Sequence, residues 1–122
     1  MKMPWVLAFT IDALPPLPNR QNFGHWSQRS RMRKEWHQRT RVAVGRDKPK
    51  VPLARARVRL VRHSCAEPDR DNLAASWKPV MDGLVQCGVI EDDKPSVVVG
   101  FDSTWSHAPR GKGYIGVSVE EA

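Results

Sequence analysis

The sequence has little cysteine, no long apolar run and, over its first half, almost no acid. Cys65 and Cys87 are its only thiols. Two cysteines make neither a disulfide framework nor a four-ligand zinc site, so reduced thiols in a cytoplasm are expected, with Cys87 packed near a helix end. No apolar stretch approaches the ~20 residues of a membrane span. The opening Met1-Lys2-Met3-Pro4-Trp5 leads into an apolar run that ends by Ile11. That run is too short for a signal peptide and has no small-residue cleavage site. At 122 residues the chain reads as one domain, 1–122, with a modest core, small enough for dimerisation to help.

What is abundant is positive charge, and it is unevenly placed. Residues 20–62 hold fourteen Lys and Arg against Glu35 and Asp47 alone, a balance of +12. Residues 63–122 hold five cations and ten anions, −5, and residues 1–19 balance, which accounts for the formal +7. A basic half joined to an acidic half can attract phosphate with one part and metal with the other; the plainer alternative is a solvated basic surface. Arg dominates, and the guanidinium fork matches phosphate oxygens. Candidate DNA contacts are Arg20, Arg29, Arg31, Arg33 and Lys34, and further on Arg55, Arg57 and Arg59.

Pro4 to Ile11 reads as a first strand. Pro15, Pro16 and Pro18 then enforce an extended loop, in which Phe23, His25 and Trp26 either touch nucleic acid or anchor the loop to the core. Ser27 suits the N-cap of a helix reaching Val44, with Met32, Trp36 and Ala43 as a narrow packed stripe in a basic surface and Gly45 at its end. Residues 46–52 read as a linker. Ala54, Ala56, Val58 and Leu60 alternate with Arg55, Arg57 and Arg59, the period of a half-buried strand. Those arginines either face DNA or pair with carboxylates. From Leu73 to Val85 the apolar spacing is helical, with Gly88 as the C-terminal glycine. Pro79 either kinks one continuous helix or begins a second; the unbroken apolar stripe favours the kink. Ser96–Phe101 and Tyr114–Val119 read as strands of a hairpin with a long loop carrying Trp105 and His107. The expected fold is α/β (α+β): β-α-β-α-β-β, a mixed sheet with two helices packed on it.

The scarce acids gather. Six of thirteen lie at or beside Pro68-Asp69-Arg70-Asp71-Asn72-Leu73 and Glu91-Asp92-Asp93-Lys94. In an extended segment Asp69 and Asp71 point the same way, about 6.6–6.8 Å apart, and can share a hard cation. Lys78 follows Asp71 by two helical turns, ~10.5 Å, on the same side. Asp92 or Asp93 can return to the same place if the chain packs back. Oxygen ligands without a Cys or His cluster suit Mg²⁺, or Mn²⁺ in its stead. The plain alternatives are an N-cap for Asp71 and turns for the other acids.

The segment Asp69-Arg70-Asp71-Asn72-Leu73, then Lys78 and Met81-Asp82-Gly83-Leu84, then Gly88-Val89-Ile90-Glu91-Asp92-Asp93, resembles the RusA family of Holliday-junction resolvases. Pro15-Pro16-Leu17-Pro18-Asn19 is similar to the family's proline-rich entry. The resemblance spans roughly residues 4–119, with specific motifs only from 68 to 93. It implies a RusA-like fold and a homodimeric, magnesium-dependent endonuclease of DNA recombination and repair, often prophage-encoded, that cuts four-way junctions symmetrically. It implies catalytic roles for Asp69, Asp71, Asp93 and Lys78, metal ligation by Asp69, Asp71 and Asp93 with Asp92 adjacent, and a DNA contact at Asn72. Two departures stand out: a longer stretch between Asp71 and Lys78, and Glu67-Pro68 in place of a basic run, with Glu67 a candidate extra ligand. The competing readings are a non-catalytic binder of structured nucleic acid and a nuclease for other branched DNA.

Overall fold

The computed structural model describes residues 5–17 and 26–122. The expectations for Arg20, Phe23 and His25 fall outside them. Four strands and three α-helices follow in the order β1 (Val6–Ile11), α1 (Trp26–Val44), β2 (Ala56–Ser64), α2 (Arg70–Ser76), α3 (Lys78–Gln86), β3 (Val98–His107) and β4 (Tyr114–Glu121), with a 3-10 turn at Gly45–Asp47. The architecture is the expected mixed sheet with helices packed on it. No helix among the described residues is long and apolar enough to cross a membrane.

The sheet order is β1-β4-β2-β3. β4 runs antiparallel to both β1 and β2, and β3 runs parallel to β2. This corrects the expected hairpin: β2 lies between β3 and β4. A parallel pair needs a crossover, and α2 and α3 supply it. The long loop is corrected as well. β3 runs on to His107, so Trp105 and His107 are strand residues; the Trp105 indole N–H donates to Ser64 Oγ at 2.9 Å. The turn that remains closes on Gly111, at φ 82°.

β2 shows why the helices cover one face. Ala56, Val58, Leu60, Arg62 and Ser64 are buried, whereas Arg57 and Arg59 are exposed. Val80 and Leu84 of α3, Trp77 and Trp36 of α1 close the core against Val58, Leu60, Ile115, Val117 and Val119. The Trp77 indole N–H reaches the sheet at Ser103 Oγ, 2.8 Å away. Arg62 enters the covered face, donates from Nη1 to the Pro15 carbonyl at 2.7 Å, and has its pKa lowered by burial.

The kinked continuous helix is also corrected: two helices meet at Trp77, which is fully buried. Pro79 occupies the first turn of α3, where its missing N–H costs nothing. The apolar stripe persists across the break because both helices lean on one core. α1 starts one residue before the expected cap, so Ser27 lies in its first turn, and Trp26 is 65% exposed. Gly88 does end α3, at φ 87°, and half-buried Cys87 sits at that end with its thiol pKa raised by burial.

Candidate active site

The two acidic segments meet different fates. Asp69, in extended conformation, is the N-cap of α2: Oδ1 accepts from the Asn72 backbone N–H at 2.9 Å and Oδ2 from the Asn72 side-chain amide at 2.7 Å. Asp71 is one residue inside the helix and exposed. Residues two apart on a helix do not share a face. The expectation that Asp69 and Asp71 project together from an extended segment is therefore corrected: the helix begins at Arg70, not after Asp71. Asn72, expected against DNA, is held by Asp69.

Asp93 is positioned by backbone. Leu53 N–H donates to the Val89 carbonyl at 2.9 Å and Glu91 N–H to the Leu53 carbonyl at 3.0 Å. This isolated bridge pins the chain after α3 against the start of β2. Asp93 N–H then donates to Asp92 Oδ1 at 2.7 Å. The turn presents Asp93 Oδ2 to Lys78 Nζ at 2.8 Å, and Asp82 Oδ1 lies 3.1 Å from the same ammonium. The spacing sets Lys78 two turns after Asp71 on the same side of one helix; in the structure its ammonium instead lies between Asp82 and Asp93. The hydrogen bond from Lys78 holds the Asp93 carboxyl below its ordinary range, and Asp93, then Asp82, raises the Lys78 pKa.

Hollows flank this ion pair on two sides. One, of about 330 Å³, runs between Ala74 and Ala75 of α2, Trp77, Met81, and Pro95, Val98 and Phe101 beyond the turn, with Lys78 and Asp93 on its wall. Asp71 stands one helical turn before Ala74 and Ala75 and is exposed, but it is not among the residues that line this hollow. On the other side α1 supplies the opposite wall. Trp26, Arg29 and Arg33 face Lys78 and Asp82, and Arg33, Lys34 and His37 face Asp82, Asp92 and Asp93. The basic helix and the acidic turn thus confront each other across a groove with Lys78 between them.

The structure brings together Lys78, Asp92 and Asp93 with Arg29, Arg33 and Lys34. It does not gather Asp69, Asp71 and Asp93 into one cluster: among the described residues no three His, Cys, Asp or Glu are grouped to hold a metal ion. The donors available are nonetheless all hard oxygens. Mg²⁺ is commonly held by one or two carboxylates, waters and substrate phosphate, so the donor set fits that ion in kind. Arg55 and Arg57 are exposed outside the groove, on or beside the sheet face away from the helices, and Arg59 there pairs with Asp102 at 3.6 Å. Arg31 is exposed on α1, and Glu67 is exposed before the cap. Sequence reasoning missed Asp82, although its place four residues after Lys78 is an ordinary helical ion-pair signal. It also missed His37, which no spacing marks out.

No protein-family model matches the chain, and no curated protein is detectably similar to it in sequence. The likeness to the RusA family rests on the motif residues alone.

Proposed function

We propose that the protein is a metal-dependent endonuclease that hydrolyses phosphodiesters in branched DNA, four-way junctions in particular, and works as a homodimer in recombination or repair. One observation carries this reading: Lys78 is held between Asp82 and Asp93 at 3.1 and 2.8 Å, in a groove whose facing wall is Arg29, Arg33 and Lys34. The α1 cations bind and orient the phosphodiester. Lys78 stabilises charge building on the phosphoryl oxygens. Asp71 and Asp93 would hold Mg²⁺, with Asp69 and Asp92 beside them. When bound, the ion polarises the phosphate and lowers the pKa of an attacking water. Asp69 also fixes the start of α2 and the Asn72 amide, which sets where Asp71 stands. Two-fold symmetric cutting needs two such sites, which a dimer supplies.

The test is a synthetic four-way junction incubated with Mg²⁺. The native chain should nick it, and Asp71→Asn should bind it without cutting. Undiminished cutting by that variant removes Asp71 from the chemistry. Because the carboxylates are not grouped, a non-catalytic binder of structured nucleic acid is the second reading; metal-independent junction binding with no nicking in any divalent ion favours it. Equal cutting of fork and junction favours a nuclease for other branched DNA.

A further inference from the structure

Three hollows open in sequence along the seam between α1 and α3. Arg33 and Asp82 line both the first and the second; Lys34, His37 and Gln86 line both the second and the third. The third, about 210 Å³, carries Lys34, His37 and Arg41 from α1 and has no acid in its lining. Arg29, Arg33, His37 and Arg41 recur at every fourth residue. Residues so spaced form one ridge along a helix, with ~6 Å of rise per step. The other faces of α1 are differently used. Trp36, Thr40 and Val44 are buried, and Arg39 is tied to Glu35 at 2.7 Å.

One atom in the row stands out. His37 Nε2 is buried and has no hydrogen-bond partner in the protein. A buried polar nitrogen without a partner is costly, and most such atoms in folded proteins find one. The same side chain lines the second and third hollows, so a turn of the ring would let Nε2, in the tautomer that carries its proton there, donate to an anionic oxygen lying in the seam.

We propose that this seam is the track for one phosphodiester strand, running from the Lys34–His37–Arg41 pocket to the Lys78–Asp93 groove. The inference deepens the endonuclease reading and rests on it only for what happens at Lys78; the track itself is a matter of binding. A cationic or donor side chain every ~6 Å of helix is commensurate with successive phosphates on an extended strand, whereas a merely solvated basic helix has no need to order its cations along a groove. From Arg29 to Arg41 the row covers ~18 Å, three steps.

The experiment is fluorescence anisotropy of a short single-stranded oligonucleotide and of a four-way junction, in EDTA, across a salt series. The native chain is compared with Arg41→Gln, His37→Ala and, as a control in the exposed turn between β3 and β4, Arg110→Gln. Arg41→Gln should weaken binding and reduce the slope of log affinity against log salt by about 0.7–0.9, the loss of one phosphate contact. His37→Ala should weaken binding with the native slope. Arg110→Gln should leave both quantities unchanged. A native slope in Arg41→Gln, an equal loss in Arg110→Gln, or no oligonucleotide binding by the native chain overturns the track. Seam variants that bind like native beside a native chain that still cuts refute the track alone. The expected slope losses beside no cutting in any divalent ion uphold the track and refute the nuclease.

Discussion

α3 comes close to α1 at Gly83, and replacing that residue tests the packing. A Cβ at position 83 would lie 2.7 Å from Thr40 Oγ1 and 2.9 Å from Thr40 Cβ. Thr40 is fully buried, and its hydroxyl donates to the Trp36 carbonyl at 2.8 Å, so it cannot simply swing aside. Two effects compete in Gly83→Ala. Alanine gains about 0.8–1.0 kcal/mol of helix propensity over glycine. Overpacking a filled core costs about 1–3 kcal/mol. The clash wins, for a net loss of up to about 2 kcal/mol, read as a lower guanidinium midpoint at unchanged m. Thr40→Ala removes the 2.7 Å contact and the 3.2 Å contact with Cγ2 but keeps the one with Cβ, so rescue should be partial. The double variant should be more stable than additivity predicts by about 0.5–1 kcal/mol, beyond the ~0.3–0.5 kcal/mol scatter of independent sites. A Gly83→Ala that raises the midpoint, as at an open helical glycine, or strict additivity with Thr40→Ala, refutes the close approach.

Asp69 should show separable roles. Asp69→Ala should cost about 1 kcal/mol through the lost cap, whereas Asp69→Asn, an equally good cap, should keep native stability yet lose cutting; equal melting losses in both variants contradict the cap. The Lys78–Asp93 pair should make stability depend on pH at both extremes. Asp93 has a lowered pKa, so its contribution is present above the ordinary 3.8 and fades as pH falls through the lower folded value. Lys78 has a raised pKa, so its contribution is full below 10.5 and is lost as pH climbs through the higher folded value. The stability gap between native and Asp93→Asn should be flat between those limits and close outside them. Because the Lys78 side chain is 64% exposed, solvent screening keeps the gap under about 1 kcal/mol. A gap that instead varies near neutrality points to another titrating group.

The parts that could be read from sequence are those where pattern and burial coincide. Ala56, Val58 and Leu60 alternate because only one face of β2 is covered, and Gly88 ends α3 because it alone adopts φ 87° there without strain. The failures have the opposite cause. β3 carries Asp102, Ser103, Thr104, Ser106 and His107, a composition that looks like loop; what makes it a strand is pairing with β2 from Ala56 to Ser64. The apparent hairpin failed because adjacency in sequence does not reveal a strand inserted between neighbours. At the site, motif spacing led to Lys78 and Asp93, but its geometry was drawn on an extended Asp69–Asp71 segment. The chain instead starts a helix at Arg70, since Asp69 and Asn72 form a better cap than an open pair of carboxylates.

The energetics of the groove bear on why its acids are there. Asp82, Asp92 and Asp93 lie opposite Arg29, Arg33 and Lys34, with Lys78 between. If folding alone explained Lys78 and its partners, they would have to stabilise the chain appreciably, yet an ion pair this exposed is worth under about 1 kcal/mol. If anion binding alone explained the groove, three carboxylates facing a phosphate would be a cost, since like charges at short range repel. Under the proposed reading both difficulties disappear. The α1 wall takes the phosphate, the acidic wall takes the cation that travels with it, and Lys78 occupies the cation's side until both arrive. The reading therefore requires divalent ion and DNA to bind with positive coupling, each tightening the other by the same factor. Junction affinity measured with Ca²⁺ should exceed that in EDTA in the native chain, and the gain should vanish in Asp93→Asn. Equal affinities with and without the ion would leave the acidic wall without a role in the proposed chemistry.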